Sequence, residues 1–288
     1  ISLFGAEHLE STAWACAALA RTDRPLLHAI AAQSRRTISE FSAQRLATLA
    51  WAFAPLDVRH APLLQSISAA SLPRLPEFGR PDLQGTAWAC EKLRFEDAPL
   101  LEALASAALR PLAEFGAADL ASLAWACAAL IIRDRPLLDA IASEALPNIH
   151  AWGLPELAHL AWAFAHLRLR DPPLLDALSS AAIAKLPAPG ECDPPSIAKL
   201  AWSFASRQVD APLLDAISSS AMRTIPDFGP PELADMAFAF AWLERRDPPL
   251  LDAIAAASIA KISLFGAEHL ESTAWACAAL ARTDRPLL

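Results

Sequence analysis

Along the chain, tryptophan flanked by alanine returns at a nearly fixed interval, each time inside a run of leucine, phenylalanine and alanine broken by single polar residues. Ala-Trp-Ala occurs at Trp14, Trp51, Trp88, Trp125, Trp162 and Trp275, with Ala-Trp-Ser at Trp202 and Ala-Phe-Ala at Phe238. Pro-Leu-Leu follows at Pro25, Pro62, Pro99, Pro136, Pro173, Pro212, Pro249 and Pro286. Two independent markers sharing a period of about 37 residues identify a tandem repeat. The extra residues before Trp202 fall in Ala-Pro-Gly-Glu-Cys-Asp at 188–193, where a loop absorbs them.

Each unit reads as two helices. In the first, helix A, residues such as Leu46, Leu49, Trp51, Phe53 and Leu56 make a wide apolar face among alanines small enough to let a neighbouring helix approach. Gly5, Ser42, Gly79, Gly116, Gly153 and Gly229 precede these helices, and Pro155-Glu156 and Pro231-Glu232 fit a first turn. Helix B starts at Asp23, Asp97, Asp134, Asp171, Asp210 and Asp247, each two residues before the proline, with His60 taking that place in the second unit. It ends near Pro73, Pro76, Pro147, Pro187 and Pro226, followed by Phe41, Phe78, Phe115, Trp152 or Phe228 in the successive units. One such unit cannot bury its apolar face alone. The expected fold is therefore all-α: an α-solenoid of about seven to eight helix-turn-helix repeats, running through residues 1–288 as one continuous array. The tryptophans are expected in its core, because Phe238 replaces one of them.

Composition narrows the class. An apolar fraction of 55% excludes disorder. Net charge is −8, so no global positive field draws in nucleic acid or an anionic membrane, and any such contact needs a local patch. The longest apolar stretch, Leu120 to Ile132, is broken by Ser122 and ends at Arg133, too short to insert in a bilayer. Cys16, Cys90, Cys127 and Cys277 share one repeat position, two residues after the tryptophan, with Phe53, Phe164, Phe204 and Phe240, which marks them as core residues. Cys192, in the inserted loop, is the cysteine expected at the surface. No Cys-x-x-Cys, glycine-rich phosphate loop or His-Glu-x-x-His occurs, so reduced thiols, an intracellular protein, no metal, no cofactor and no enzymatic activity are expected.

What varies between units is more informative. Three residues before the tryptophan position stand Ser11, Thr48, Gly85, Ser122, His159, Lys199, Asp235 and Ser272; four after it stand Ala18, Pro55, Lys92, Ala129, His166, Ser206, Trp242 and Ala279. The two positions lie two turns apart on one stripe of helix A. That makes Ser11, Thr48, Lys92, Ser122, His159, His166, Lys199, Ser206, Asp235 and Trp242 candidate ligand-facing residues. A second stripe, at the end of helix B, carries about one cation per unit: Arg36, Arg74, Arg110, Lys185, Arg223 and Lys261. These either complement the helix dipole or form a ladder for a phosphate backbone.

The unit Leu-Ala-x-Leu-Ala-Trp-Ala-Phe-Ala-x-Leu at 157–167, followed by Asp-Pro-Pro-Leu-Leu-Asp at 171–176, resembles the octotricopeptide and heptatricopeptide repeats of organellar proteins. The resemblance implies an α-solenoid that binds single-stranded RNA with helix A facing the bases, in a mitochondrion or plastid, with pairs such as His159 with His166 and Asp235 with Trp242 reading them. A scaffold holding a protein partner is the other reading of the same surface. Residues 262–288 repeat residues 1–27 without a difference, which suggests a segment of a longer array or head-to-tail or closed self-association.

Overall fold

The computed structural model describes residues 3–188, 192–206, 211–243 and 247–282. Fifteen α-helices and no strand occur among them. The chain packs as two compact units, Ile1–Glu144 and Ala145–Leu288. The first holds α1 (Ala6–Ala18), α2 (Arg24–Arg36), α3 (Ala43–Phe53), α4 (Ala61–Ser71), α5 (Arg80–Leu93), α6 (Ala98–Ala108), α7 (Ala117–Ala129) and α8 (Arg135–Ala145). The second holds α9 (Leu154–His166), α10 (Pro172–Lys185), α11 (Pro194–Ala205), α12 (Ala211–Thr224), α13 (Pro230–Trp242), α14 (Pro248–Ala260) and α15 (Ala267–Arg282). Odd-numbered helices are A helices and even-numbered ones are B helices.

The fold is an all-α solenoid in which A packs on A and B on B. In the first unit α1, α3, α5 and α7 stack in order; in the second α9, α11, α13 and α15 do the same. The A helices meet along more of their length than the B helices. Alanine explains this: Ala47, Ala50 and Ala52 of α3 are all buried and let backbones approach, whereas leucine and isoleucine hold B helices apart.

Helix starts follow local chemistry. Asp23, Asp97, Asp134, Asp171 and Asp247 each accept a hydrogen bond through Oδ1 from the backbone N–H three residues on, at 3.0 to 3.2 Å. Asp210, expected to do the same, lies outside the described residues. In the second repeat His60 caps through Nδ1, accepting from Leu63 at 3.1 Å. Burial, with His28 and Arg35 nearby, holds His60 below the usual histidine range, keeping that nitrogen free to accept. After the B helices, short 3-10 turns lead to Phe41, Phe78, Phe115, Trp152 and Phe228, all of them buried anchors.

The turns from A to B are built alike. Arg21 N–H donates to the Cys16 carbonyl and Ala20 N–H to Ala17, and the same pair of bonds recurs at Val58 and Asp57, Phe95 and Arg94, Ile132 and Ile131, and Leu169 and Arg168. This double bond pattern closes a helix with one left-handed residue. Here that residue is Ala20, Asp57, Arg94, Ile131 or Arg168, with φ between 47° and 57°, and never the glycine that would occupy it without strain.

The cysteine position behaves as core. Cys16, Cys90 and Cys127 are buried, as are Phe53, Phe164, Phe204 and Phe240 in the other repeats. Burial pushes the Cys90 and Cys127 thiols up to about 12, so neither is a thiolate at neutral pH. Two cysteines depart from expectation. Cys192 is half-buried, its Sγ donating to the Leu186 carbonyl at 3.1 Å, while Cys277 is exposed on α15, where no described helix covers it.

Candidate nucleic-acid interface

The tryptophans at the repeat position are not fully buried, contrary to the reading of that position as a buried anchor; Trp152, which stands after a B helix, is buried. Trp14 is 50% exposed and Trp275 42%, and Trp51, Trp88, Trp125, Trp162 and Trp202 are half-buried. The reason lies in the helical wheel. On α3 the exposed or half-buried positions are Gln44, Arg45, Thr48 and Trp51, so the indole shares the stripe of the variable residues, one turn from each. The residues buried around it are Leu46, Leu49, Ala50 and Phe53.

On successive A helices the rings meet. Trp51 and Trp88 have centroids 6.2 Å apart, Trp162 and Trp202 6.4 Å, Trp242 and Trp275 6.2 Å, and Phe238 and Trp275 4.9 Å. His166 stacks on Trp162 of its own helix at 4.7 Å, with only 15° between the planes, and Trp242 lies over Phe238 at 5.8 Å. The result is a pair of rings in the first unit, Trp51 with Trp88, and two groups in the second, Trp162 with His166 and Trp202, and Phe238 with Trp242 and Trp275, all of them half-buried or exposed.

None of the ten variable-stripe candidates is buried. Ser11, Lys92, His166, Ser206, Asp235 and Trp242 are exposed, and Thr48, Ser122, His159 and Lys199 are half-buried. In the second unit His166, Ser206 and Trp242 come together on one groove of about 1060 Å³, with Trp202, Arg168, Arg170 and Asp176. In the first unit Thr48 and Gly85 line a smaller groove of about 240 Å³ with Trp14 and Trp51.

Charges also gather on the stripe. Lys199 of α11, Asp235 and Glu232 of α13, and His269 of α15 interact. Partial burial pushes the Asp235 carboxyl up to about 6, Glu232 acts in the same direction, and His269 and Lys199 oppose them. An acid with a folded-state pKa above its unfolded value stabilises the fold below the unfolded value and loses that contribution as pH rises. Stability from this group is therefore expected to fall between about pH 4 and pH 6. Because Asp235 remains accessible to water, Asp235→Asn should stabilise by no more than about 1 kcal/mol at pH 7 and by nothing below about pH 4. Urea unfolding across that range checks it, and a variant less stable than the parent at pH 7 contradicts it.

The cations at the ends of the B helices divide into two groups. Arg74 donates to the carbonyls of Phe41 and Ser39, Arg223 to that of Leu186 at 2.8 Å, and Lys261 to those of Pro226 and Phe228, both at 2.6 Å. Each therefore ties its repeat to the one before. Arg36, Arg110 and Lys185 form no side-chain hydrogen bond or ion pair with other described residues, and the first two are exposed. The structure brings out a different row that the two sequence stripes do not contain. Every turn from A to B carries arginine: Arg21, Arg59, Arg94, Arg133, Arg168 and Arg170, all exposed, with Arg207, Arg245 and Arg246 outside the described residues. Its sequence signal is a cation recurring between the two markers, hidden because its position shifts by one to three residues from unit to unit. Acids stand at the other end of the A helices, as Glu7, Asp82, Asp119, Glu156, Glu232 and Glu268 in their first turns.

Among the described residues no group of histidine, cysteine and acidic side chains is placed to hold a metal. No described helix is long and apolar enough to cross a membrane. Residues 3–212 match the family model described as RNA-editing substrate-binding complex 6 protein. No curated protein matches the chain.

Proposed function

The chain belongs to the RNA-editing substrate-binding complex 6 protein family, and from that premise we propose that it binds single-stranded RNA along the A-helix face of its repeats, without catalysing a reaction, in organellar RNA metabolism. The observation that carries this reading is the recurrence of half-buried and exposed rings that meet across neighbouring A helices. Water-accessible rings spaced 6.2 to 6.4 Å apart offer stacking platforms for bases. That spacing exceeds the roughly 3.4 Å between stacked bases, so a strand following it is stretched and meets about one repeat per nucleotide. The variable residues beside each ring supply selectivity. His159 with His166 and Asp235 with Trp242 present different edges, and a carboxylate such as Asp235 accepts from the amino group of cytosine. The octotricopeptide-like motif at 157–176 supports the same reading.

With nine tryptophans and no tyrosine, the protein carries its own probe. Short single-stranded RNAs are expected to quench tryptophan fluorescence on binding, with an affinity that falls steeply as salt rises. Asp235→Ala should change the preferred sequence more than the mean affinity. Absence of quenching and of any anisotropy change with labelled RNA at low salt, in a folded protein, would overturn the proposal and favour a scaffold for a protein partner.

A further inference from the structure

We propose that, within each unit, the arginines of the A-to-B turns form the phosphate track for that RNA, in place of the cations that end the B helices. The inference rests on the RNA-binding reading and names the groups that hold the backbone.

Four observations lead to it. Three of the B-end cations, Arg74, Arg223 and Lys261, donate to carbonyls of the preceding repeat, which commits part of each head group and fixes its direction. The turn arginines Arg21, Arg94, Arg133, Arg168 and Arg170 form no side-chain hydrogen bond or ion pair with other described residues, and Arg59 has only an exposed contact with Asp57 at 3.2 Å. In the second unit Arg168 and Arg170 line the same groove as His166, Trp202 and Trp242, so cation and ring serve one space. Finally, the five described turns share one hydrogen-bond pattern and one left-handed residue, and each carries an exposed arginine at that residue or within two residues after it.

Electrostatics then fixes which edge the backbone follows. The first turns of the A helices hold carboxylates and no row of arginines. In the turns at their other ends Asp23, Asp97, Asp134 and Asp171 are engaged as caps of the B helices and the exposed guanidiniums beside them face water, so a polyanion lies along the second edge with its bases turned in over the rings.

The test compares two variants of the full chain by RNA titration over a range of salt. Arg94, Arg133, Arg168 and Arg170 are changed together to Gln in one; Arg36, Arg110 and Lys185 are changed to Gln in the other. Single-stranded contacts contribute about 0.7 each to the slope of log affinity against log salt, so the turn variant should be shallower by about 3 and bind more than about tenfold more weakly at low salt. The B-end variant should keep the parental slope. The proposal is overturned if the turn variant keeps that slope, or if the B-end variant loses it.

Two glycine variants keep the test independent of folding losses. Arg168→Gly relieves the left-handed strain, so its melting temperature should rise while its affinity falls; Ala20→Gly should raise the melting temperature with affinity unchanged. Parental affinity in Arg168→Gly contradicts the track. If the parent protein binds no RNA, the function proposed above fails first and this inference with it, an outcome distinct from binding that ignores the turn arginines.

Discussion

Replacing Phe164 by alanine is expected to destabilise its repeat by about 3–5 kcal/mol. Phe164 is 1% exposed and sits at the position where Phe53, Phe204 and Phe240 are equally covered. Truncation removes the transfer free energy of the ring and leaves a cavity that rigid neighbouring helices cannot close. Trp162→Ala, two residues away, should cost about half as much or less, because that indole is only half-buried and its loss opens no closed void. Stability in repeat arrays is a sum of local terms, so one unfolding midpoint can hide the difference. Hydrogen exchange at the amides of α9 and α11 reads it directly. Equal losses at the two positions would show that the ring at 162 is as deeply packed as Phe164 and would remove the open aromatic face.

The second large effect is expected at the ties between repeats. Arg223→Met should cost about 1.5–3 kcal/mol, and Lys261→Met a similar amount, because each deletes a charge-assisted hydrogen bond to a carbonyl of the repeat before it. At Leu186 the carbonyl keeps two partners, the buried Ser220 hydroxyl and the Cys192 thiol, both at 3.1 Å, so the loss there should fall at the lower end. Methionine keeps most of the apolar length of both side chains, which confines the change to the charged head. The loss should appear as weaker coupling between α10 and α12 for Arg223, and between α12 and α14 for Lys261, with RNA affinity little changed. Exchange rates that do not move in either variant would mean that these contacts contribute nothing in solution. A fall in RNA affinity without a change in exchange would return the two cations to the phosphate ladder.

The contrast between Phe164 and Trp162 shows how much of the candidate site is legible in the chain alone. Both residues are large, apolar and recurrent, and hydropathy assigns both to the core. The exchange of phenylalanine with cysteine correctly marks the first as buried. The exchange of tryptophan with Phe238 argues the same for the second, wrongly, because a ring that stacks on the next ring tolerates that swap as well as a packed one does. The helical wheel holds the better signal: the indole stands three residues after one variable position and four before the other, and residues so spaced share a face. The cations follow the same pattern. Arg223 and Arg110 occupy matching places at the ends of B helices, yet only Arg223 meets a carbonyl of the preceding repeat.

By itself, the sequence determined the period, the helix-turn-helix unit, the Asp and His60 caps that start the B helices, and the thiols and phenyl rings that fill the core. These depend on hydrogen bonds and periodicities spanning one or two helical turns, which a linear reading contains. Only the tertiary structure decided which side of each A helix is covered, that the indoles look outward and touch across repeats, that three cations are held by carbonyls 33 to 37 residues earlier, and that His166, Ser206 and Trp242 border one groove. Those outcomes depend on the angle and distance at which one repeat rests on the next, and that packing is set by many side chains at once and written in no local motif.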